Sequence, residues 1–287
     1  MEAKMAETAY MKQYRDEYIH GFERKASLLR DACTTEAVIS GNEAEFLVSD
    51  SGGAEAVTRG VNGLIPGRAD NNTQYTVTLS EWHDKPQKSS FNIFASQGPQ
   101  RQIMQTTSMG VINRKIDSQI LTELNTATVN TGAAAVMSET LALRSKTILQ
   151  VSDVPWDGNL FAIVSPAAEA YLMATDSFAS AEYVDTRVFE GAPMAWNDSL
   201  KYKRWMGINW ISHPGVPGVG TSAEKCFMFH KSAIGHAMNA AGMDVKAGYN
   251  EEEDYSYARC SVFMGTQIIQ NSGIVVMNHD GSAFAAA

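Results

Sequence analysis

The stretch with the most chemistry in it is residues 48–57, "VSDSGGAEAV". Ser51 stands in Ser-Asp-Ser-Gly-Gly, one residue from the Gly-Asp-Ser-Gly-Gly that surrounds a serine-protease nucleophile. A nucleophilic serine needs a histidine base within hydrogen-bond reach, and the base needs a carboxylate to orient it. In the chain order that accompanies this motif, both partners precede the serine. Here His20 alone precedes Ser51, in a segment too short to build such a site, and the alternative GxSxG elbow is absent. The spacing favours a glycine turn; a serine hydrolase using Ser51 is the remote alternative.

Other reactive residues are scattered. His230 and His236 are too far apart for one helix face, and neither HExxH nor a Cys/His pairing occurs, so no metal site is expected. The glycines of "RGVNGLIPG" and "GVPGVG" lack the strand–loop–helix setting of a phosphate cradle. Cys33, Cys226 and Cys260 are odd in number and have no CxxC spacing, which suits buried thiols better than a disulfide framework. Trp196, Trp205 and Trp210 have only "KYKR" beside them, so they read as sheet filling rather than a base-stacking platform. No cofactor and no catalytic constellation is expected.

Composition narrows the class. Of 287 residues 44% are hydrophobic and 19% charged, the balance of an ordinary folded protein. No apolar run approaches the roughly 20 residues of a membrane span. The N-terminus lacks a secretory pattern, which places synthesis in a cytoplasm. A net charge of −9 opposes nonspecific attachment to nucleic acid, which runs on clustered Lys and Arg. The acidic run "NEEEDYSY" reads as a solvated loop or helix end.

These residues must be positioned by elements whose periods are legible. Met11, Tyr14, Tyr18, Phe22, Ala26 and Leu29 share a stripe, predicting a helix over 4–32. "AEFLV" predicts a strand, as does "QYTVTLSEW", where Tyr75, Val77 and Leu79 face opposite to Thr76, Thr78 and Ser80. Between them lie about 25 residues rich in Gly, Asn and Asp, too long for an ordinary connection. Met109, Ile112, Ile116, Ile120 and Leu124 predict a long helix over 103–126. A second helix is capped by Ser138, and a third by Ser165 with Pro166 at its first turn. "LFAIVS" reads as a strand buried on both faces. Strands are also expected at "RVFEGAPMAW", "RWMGINWIS", "KCFMFH", "SYARCSVFMG" and "GIVVMN", with "HPGVPGVGTS" a loop between two of them. The class is α+β. An amphipathic arm and a long hairpin that cannot bury themselves imply subunits that overlap one another.

The order of these elements resembles a known family. "AEAVTRGVNGLIPGRADNNTQYTVTLSEWHD", "FNIFASQGPQRQIMQTTSMGVINRKIDSQILTEL", "FAIVSPAAEAYLMA", "EYVDTRVFEGAPMAWN" and "GINWISHPGVPG" are similar to the major capsid proteins of tailed bacteriophages, with the Hong Kong 97-type coat fold. The resemblance implies an N-terminal arm (1–42), an extension loop (43–85) lying across a neighbouring subunit, and a peripheral domain (86–132) with its spine helix. It further implies an axial domain (133–230), with "HPGVPGVGTS" as its tip, and a peripheral-domain return (231–287). Contacts between subunits would come from Met11, Tyr14, Tyr18 and Phe22 of the arm. The loop would add Gly52, Gly53, Arg59, Arg68, Tyr75, Val77, Leu79 and Trp82. Hexamers and pentamers would close an icosahedral shell around double-stranded DNA, without sequence-specific binding and without a membrane. A separate scaffolding protein, a portal and a decoration protein are the further partners implied. Location would be the virion, after assembly in the host bacterial cytoplasm. An encapsulin-like nanocompartment shell is the close alternative. A lysine–asparagine crosslink through Lys85 or Lys88 finds no matching partner motif.

Overall fold

The computed structural model describes residues 23–61, 63, 65, 67–95, 99–179, 184–185 and 203–284. Its strands are β1 (Thr34–Val38), β2 (Glu43–Asp50), β3 (Asn71–Thr78), β4 (Ser80–Asp84), β5 (Gln87–Ser89), β6 (Leu160–Val164) and β7 (Val184–Asp185). They continue with β8 (Lys203–Trp205), β9 (Ile208–Ser212), β10 (Glu224–His230), β11 (Ile234–Asn239), β12 (Asp244–Asn250), β13 (Tyr255–Ile268) and β14 (Ile274–His279). The helices are α1 (Ser90–Ala95), α2 (Gln100–Leu124), α3 (Glu139–Val151), α4 (Pro166–Met173) and α5 (Asp176–Ala179).

β13 is the axis of the first sheet. Its Tyr255 pairs with Asn250 of β12 on one side and Ser89 of β5 on the other; its Met264 pairs with Met238 of β11 and Ser80 of β4. β1 joins β11 in parallel at the margin. The second sheet runs β14-β10-β6-β9-β8-β7. Residues of β6 and β10 alternate between its two faces, as strand geometry requires. Phe161, Ile163, Phe227 and Phe229 turn to α2, while Leu160, Ala162, Val164 and Met228 turn to the core beneath α3 and α4. Both faces are covered, which is why "LFAIV" is apolar throughout.

α2 forms where the isoleucine spacing predicts it. Its buried stripe is Met104, Ser108, Ile112, Ile116, Ile120 and Leu124. Met109 was expected on this stripe and lies beside it, 41% exposed. Ser108 takes the buried place because its hydroxyl donates to the Asp84 carbonyl at 3.2 Å, which removes the cost of burying it. Ser138 and Ser165 cap α3 and α4 as expected, accepting from the amides of Leu141 and Ala168.

The helix expected over 4–32 is corrected in its described part. Residues 23–29 are not helical, and a short 3-10 turn at Arg30–Ala32 follows. The amides of Leu28 and Leu29 go to a carboxylate on α2 instead of to their own chain. Met11, Tyr14, Tyr18 and Phe22 lie outside the described residues, as does all of "RVFEGAPMAW".

Candidate functional site

Ser51 is the first corner of a turn. Its carbonyl accepts the Ala54 amide at 3.1 Å, and Gly52 and Gly53 between them take φ of 60° and 73°. Two successive positive φ values are the pattern of a primed turn, which glycine enters without steric cost. The described histidines are engaged elsewhere: His83 with Ser261, His213 with Asp117, His230 with Asp157, His236 with Thr266 and His279 with the Met137 amide. None bonds Ser51. Among the described residues no cluster of His, Cys, Asp and Glu is suited to a metal, and no helix is long and apolar enough to cross a membrane. Cys33, Cys226 and Cys260 are free and buried; burial pushes the Cys226 thiol up to about 12.

The turn belongs to a hairpin with a buried root and an unburied tip. β2 and β3 pair antiparallel from Glu43↔Thr78 to Asp50↔Asn71. At the root, Ala44, Phe46 and Val77 are buried with Ala237 and Ile269, and Tyr75 and Leu79 pack against that cluster. The seat is cut to fit. A Cβ on Gly235 would meet the Phe46 ring at 2.9 Å, and one on Gly265 would meet the Thr78 carbonyl oxygen at 2.3 Å. Toward the tip the pattern stops. Every described residue from Ser49 to Gln74 is exposed, including Val57, Val61 and Ile65, and their hydrogen bonds stay within the loop. Asp50 organises this end by accepting the Gly52 amide at 2.7 Å and a bond from Asn71.

The expected contact residues of the loop therefore divide. Gly52, Gly53, Arg59 and Arg68 sit in the exposed part. Tyr75 and Leu79 are half-buried at the root, and Val77, 1% exposed, is core of its own chain. Trp82 lies beyond the hairpin on β4, opposite Val262, with the Lys115 ammonium 3.9 Å over its ring. Lys85 donates to the Tyr255 hydroxyl at 3.2 Å and lies over the Tyr255 and Tyr257 rings. Lys88 bonds Gln100.

A second polar site joins three distant segments, and sequence reasoning missed it. Asp117 on α2 is fully buried and accepts from the Ser27 hydroxyl at 2.6 Å and the Leu28 and Leu29 amides at 3.1 and 3.2 Å. Arg24 and His213 reach its other oxygen at 3.3 Å. The Gly215 amide donates to His213 Nδ1 at 3.0 Å, which turns Nε2 toward Asp117 and Arg24. Burial pushes the Asp117 carboxyl up, but the hydrogen bonds from His213, Ser27, Leu28 and Leu29 together bring it below its ordinary value. The signal was a lone aspartate directly following Ile116 of the apolar stripe.

This clamp anchors the start of "HPGVPGVGTS". His213 and Val216 are buried at 1% and 3%, in contact with α2 and the core beneath it. The loop is pinned at these two residues, while Pro214, Gly218, Val219, Thr221 and Ser222 stay exposed. The far end is held too: Glu224 accepts the Gly220 amide at 2.6 Å and the Ser165 hydroxyl.

A hairpin that leaves its own core and a spine helix clamped between two sheets describe a part of an assembly. The model of a family described as phage capsid protein matches residues 6–280. The chain belongs to the phage capsid protein family. Solved structures agree in fold. The capsid of cyanophage P-SCSP1u aligns with a TM-score of 0.70 and 11% identity over 94% of the capsid chain and 93% of its own. Mycobacterium phage Che8 gives 0.69, with 14% identity over 94% and 97%. The capsid of Ralstonia phage GP4 gives 0.69, with 12% identity over 98% of each. At such identities the likeness is one of fold, the Hong Kong 97-type coat fold. No curated protein matches the capsid chain.

Proposed function

We propose that this chain is the major capsid protein of a tailed phage, with copies of itself forming the pentamers and hexamers of a closed icosahedral shell. The observation that carries the reading is the hairpin of a capsid-family chain whose apolar tip residues have no partner among the described residues of their own subunit. Isolated exposed aliphatic side chains need no explanation. Three in a loop held out from a buried root are positioned for another molecule.

In this reading residues 1–42 form the arm and 43–85 the extension loop. α2 with β5, β11, β12 and β13 belongs to the peripheral domain (86–132 and 231–287), and 133–230 form the axial domain. The arm residues Met11, Tyr14, Tyr18 and Phe22 and the loop residues Gly52, Gly53, Arg59 and Arg68 serve contacts between subunits. Tyr75, Val77 and Leu79 hold the loop's root, and Trp82 lies beyond it against the core of α2. Strength comes from many repeated moderate interfaces. The net charge of −9 suits a container that confines double-stranded DNA without gripping it. Scaffolding, portal and decoration proteins are the further partners, and assembly takes place in the host bacterial cytoplasm. The chain acts as structure and not as an enzyme.

Negative-stain microscopy of the expressed protein, alone and with its phage's scaffolding protein, tests the reading. Uniform closed shells are the expected result. A chain that stays monomeric under both conditions would overturn it.

A further inference from the structure

On the face of the first sheet turned away from α2, three residues stand side by side across three strands: His83 of β4, Ser261 of β13 and Asp244 of β12. Their chain neighbours Trp82, Cys260, Val262 and Val245 point the other way, into the core with α2, as strand alternation requires. The Ser261 hydroxyl lies 2.8 Å from His83 Nδ1, and Glu81 Oε2 lies 3.3 Å from Nε2 of the same ring. A carboxylate can only accept, so the ring proton sits on Nε2 and the bare Nδ1 accepts from Ser261. This serine, unlike Ser51, has a histidine base and a carboxylate to orient it. Ser261 and His83 line a cleft of about 460 Å³, whose walls include Met243, Phe263, Lys246 and Arg259.

From this row we propose that Ser261 is a site of covalent acylation, a reactivity separate from the shell-building role. The donor is an activated ester or a thioester with a short acyl group that the cleft admits. Ser261 Oγ attacks the acyl carbon while His83 Nδ1 takes the hydroxyl proton. The C–O or C–S bond to the leaving group then breaks, and the leaving oxygen or sulfur takes that proton from His83. One acyl group has moved onto Ser261, one alcohol or thiol is released, and nothing is oxidised or reduced. Glu81 is a positioning residue: it holds Nδ1 toward the serine and stabilises the imidazolium that forms.

The surroundings favour keeping the acyl group over turning it over. Fast acyl transfer needs fixed donors for the oxyanion, such as backbone amides. β13 is paired on both sides at Ser261, so its amides there serve the ladders. The cations of the cleft wall are Lys246 and Arg259, and Asp244 engages both, at 3.0 and 3.6 Å. Arg259 Nε, shielded from solvent, has no hydrogen-bond partner among the described residues; an acyl carbonyl oxygen in the cleft would supply one. An activated donor makes up for the missing amides when the ester forms. Nothing makes up for them when water must cleave it.

Treating the expressed chain with p-nitrophenyl acetate and mapping its peptides by mass is the test. The expected product carries an acetyl group on Ser261 that remains after the reagent is removed. Chain unfolded in urea keeps every residue but not the row, and should lose the preference for Ser261. His83→Ala should slow acetylation of Ser261 at least about a hundredfold. Glu81→Gln should slow it less, and Glu81→Asp should restore most of the rate. Acetyl groups on lysines with none on Ser261 would overturn the inference. So would equal labelling of Ser261 in folded and unfolded chain, or an undiminished rate in folded His83→Ala. None of these results bears on shell assembly, which microscopy reads separately.

Discussion

The hairpin tip and the Asp117 clamp use the same parts, a carboxylate, a serine and backbone amides, in opposite settings. Asp50 accepts the amide of Gly52, two residues away, in full solvent. Asp117 accepts amides 88 and 89 residues away in sequence, with no exposure. The first arrangement shapes a turn and leaves the turn free to meet another molecule. The second joins the end of the arm segment, the spine helix and the loop after β9 into one body. A carboxylate's neighbours in sequence thus say little about its weight. What decides is whether water can replace its partners.

The comparison breaks most easily at the clamp. Asp117→Ala should destabilise the subunit by about 3–5 kcal/mol, because it leaves the Arg24 guanidinium and two amides facing a buried void. Denaturant unfolding of unassembled subunits measures this, and a loss under about 1 kcal/mol would show the clamp to be ornamental. Next in size is the seat of the root. Gly265→Val drives a side chain into the Thr78 carbonyl and should cost at least about 1–3 kcal/mol. Limited proteolysis should then cut first between β2 and β3.

Acid sharpens the same contrast. A carboxyl held below its ordinary value stabilises fully above the unfolded value and loses that contribution as pH falls through the folded one. Asp117 is so held, by bonds that outweigh its burial. Wild-type stability should therefore decline below about pH 4, where free carboxylates protonate, and Asp117→Asn should flatten that decline. The smallest stability effect belongs to the tip. Replacing Gly52 and Gly53 with valine costs about 1–3 kcal/mol of local strain at each positive φ, in a segment the folded body does not lean on. The unfolding midpoint of the body should move little while shell yield falls. Normal shells from that double variant would remove the tip from the interface.

The sequence made the hairpin readable because alternation is strict in a strand with one wet face: Tyr75, Val77 and Leu79 turn inward and Thr76 and Thr78 outward. β6, buried on both faces, was readable for the opposite reason. β11 was missed because Gly235 and His236 interrupt an otherwise apolar run. The glycine is where Ile269 and the Phe46 ring approach the strand too closely for a side chain, and the histidine is bonded to Thr266 across it. β12 was missed as a half-exposed strand with no regular period. The clamp escaped because its three members are separated by about 90 residues each way, and no local period encodes a charge satisfied at such distance. The glycines of 52–53, by contrast, announced a turn from composition alone.

β13 carries a consequence for the order of events during synthesis. Strands β4, β5, β11 and β12 all pair with it, and it ends at Ile268. The root of the hairpin, made near residue 46, waits for Ala237 and Ile269 to bury it. A ribosome must therefore deliver the chain through about residue 269 before the first sheet can close. Contacts so remote in sequence close slowly. Until they do, the root of the hairpin has no seat, so a half-made chain cannot hold that loop in place.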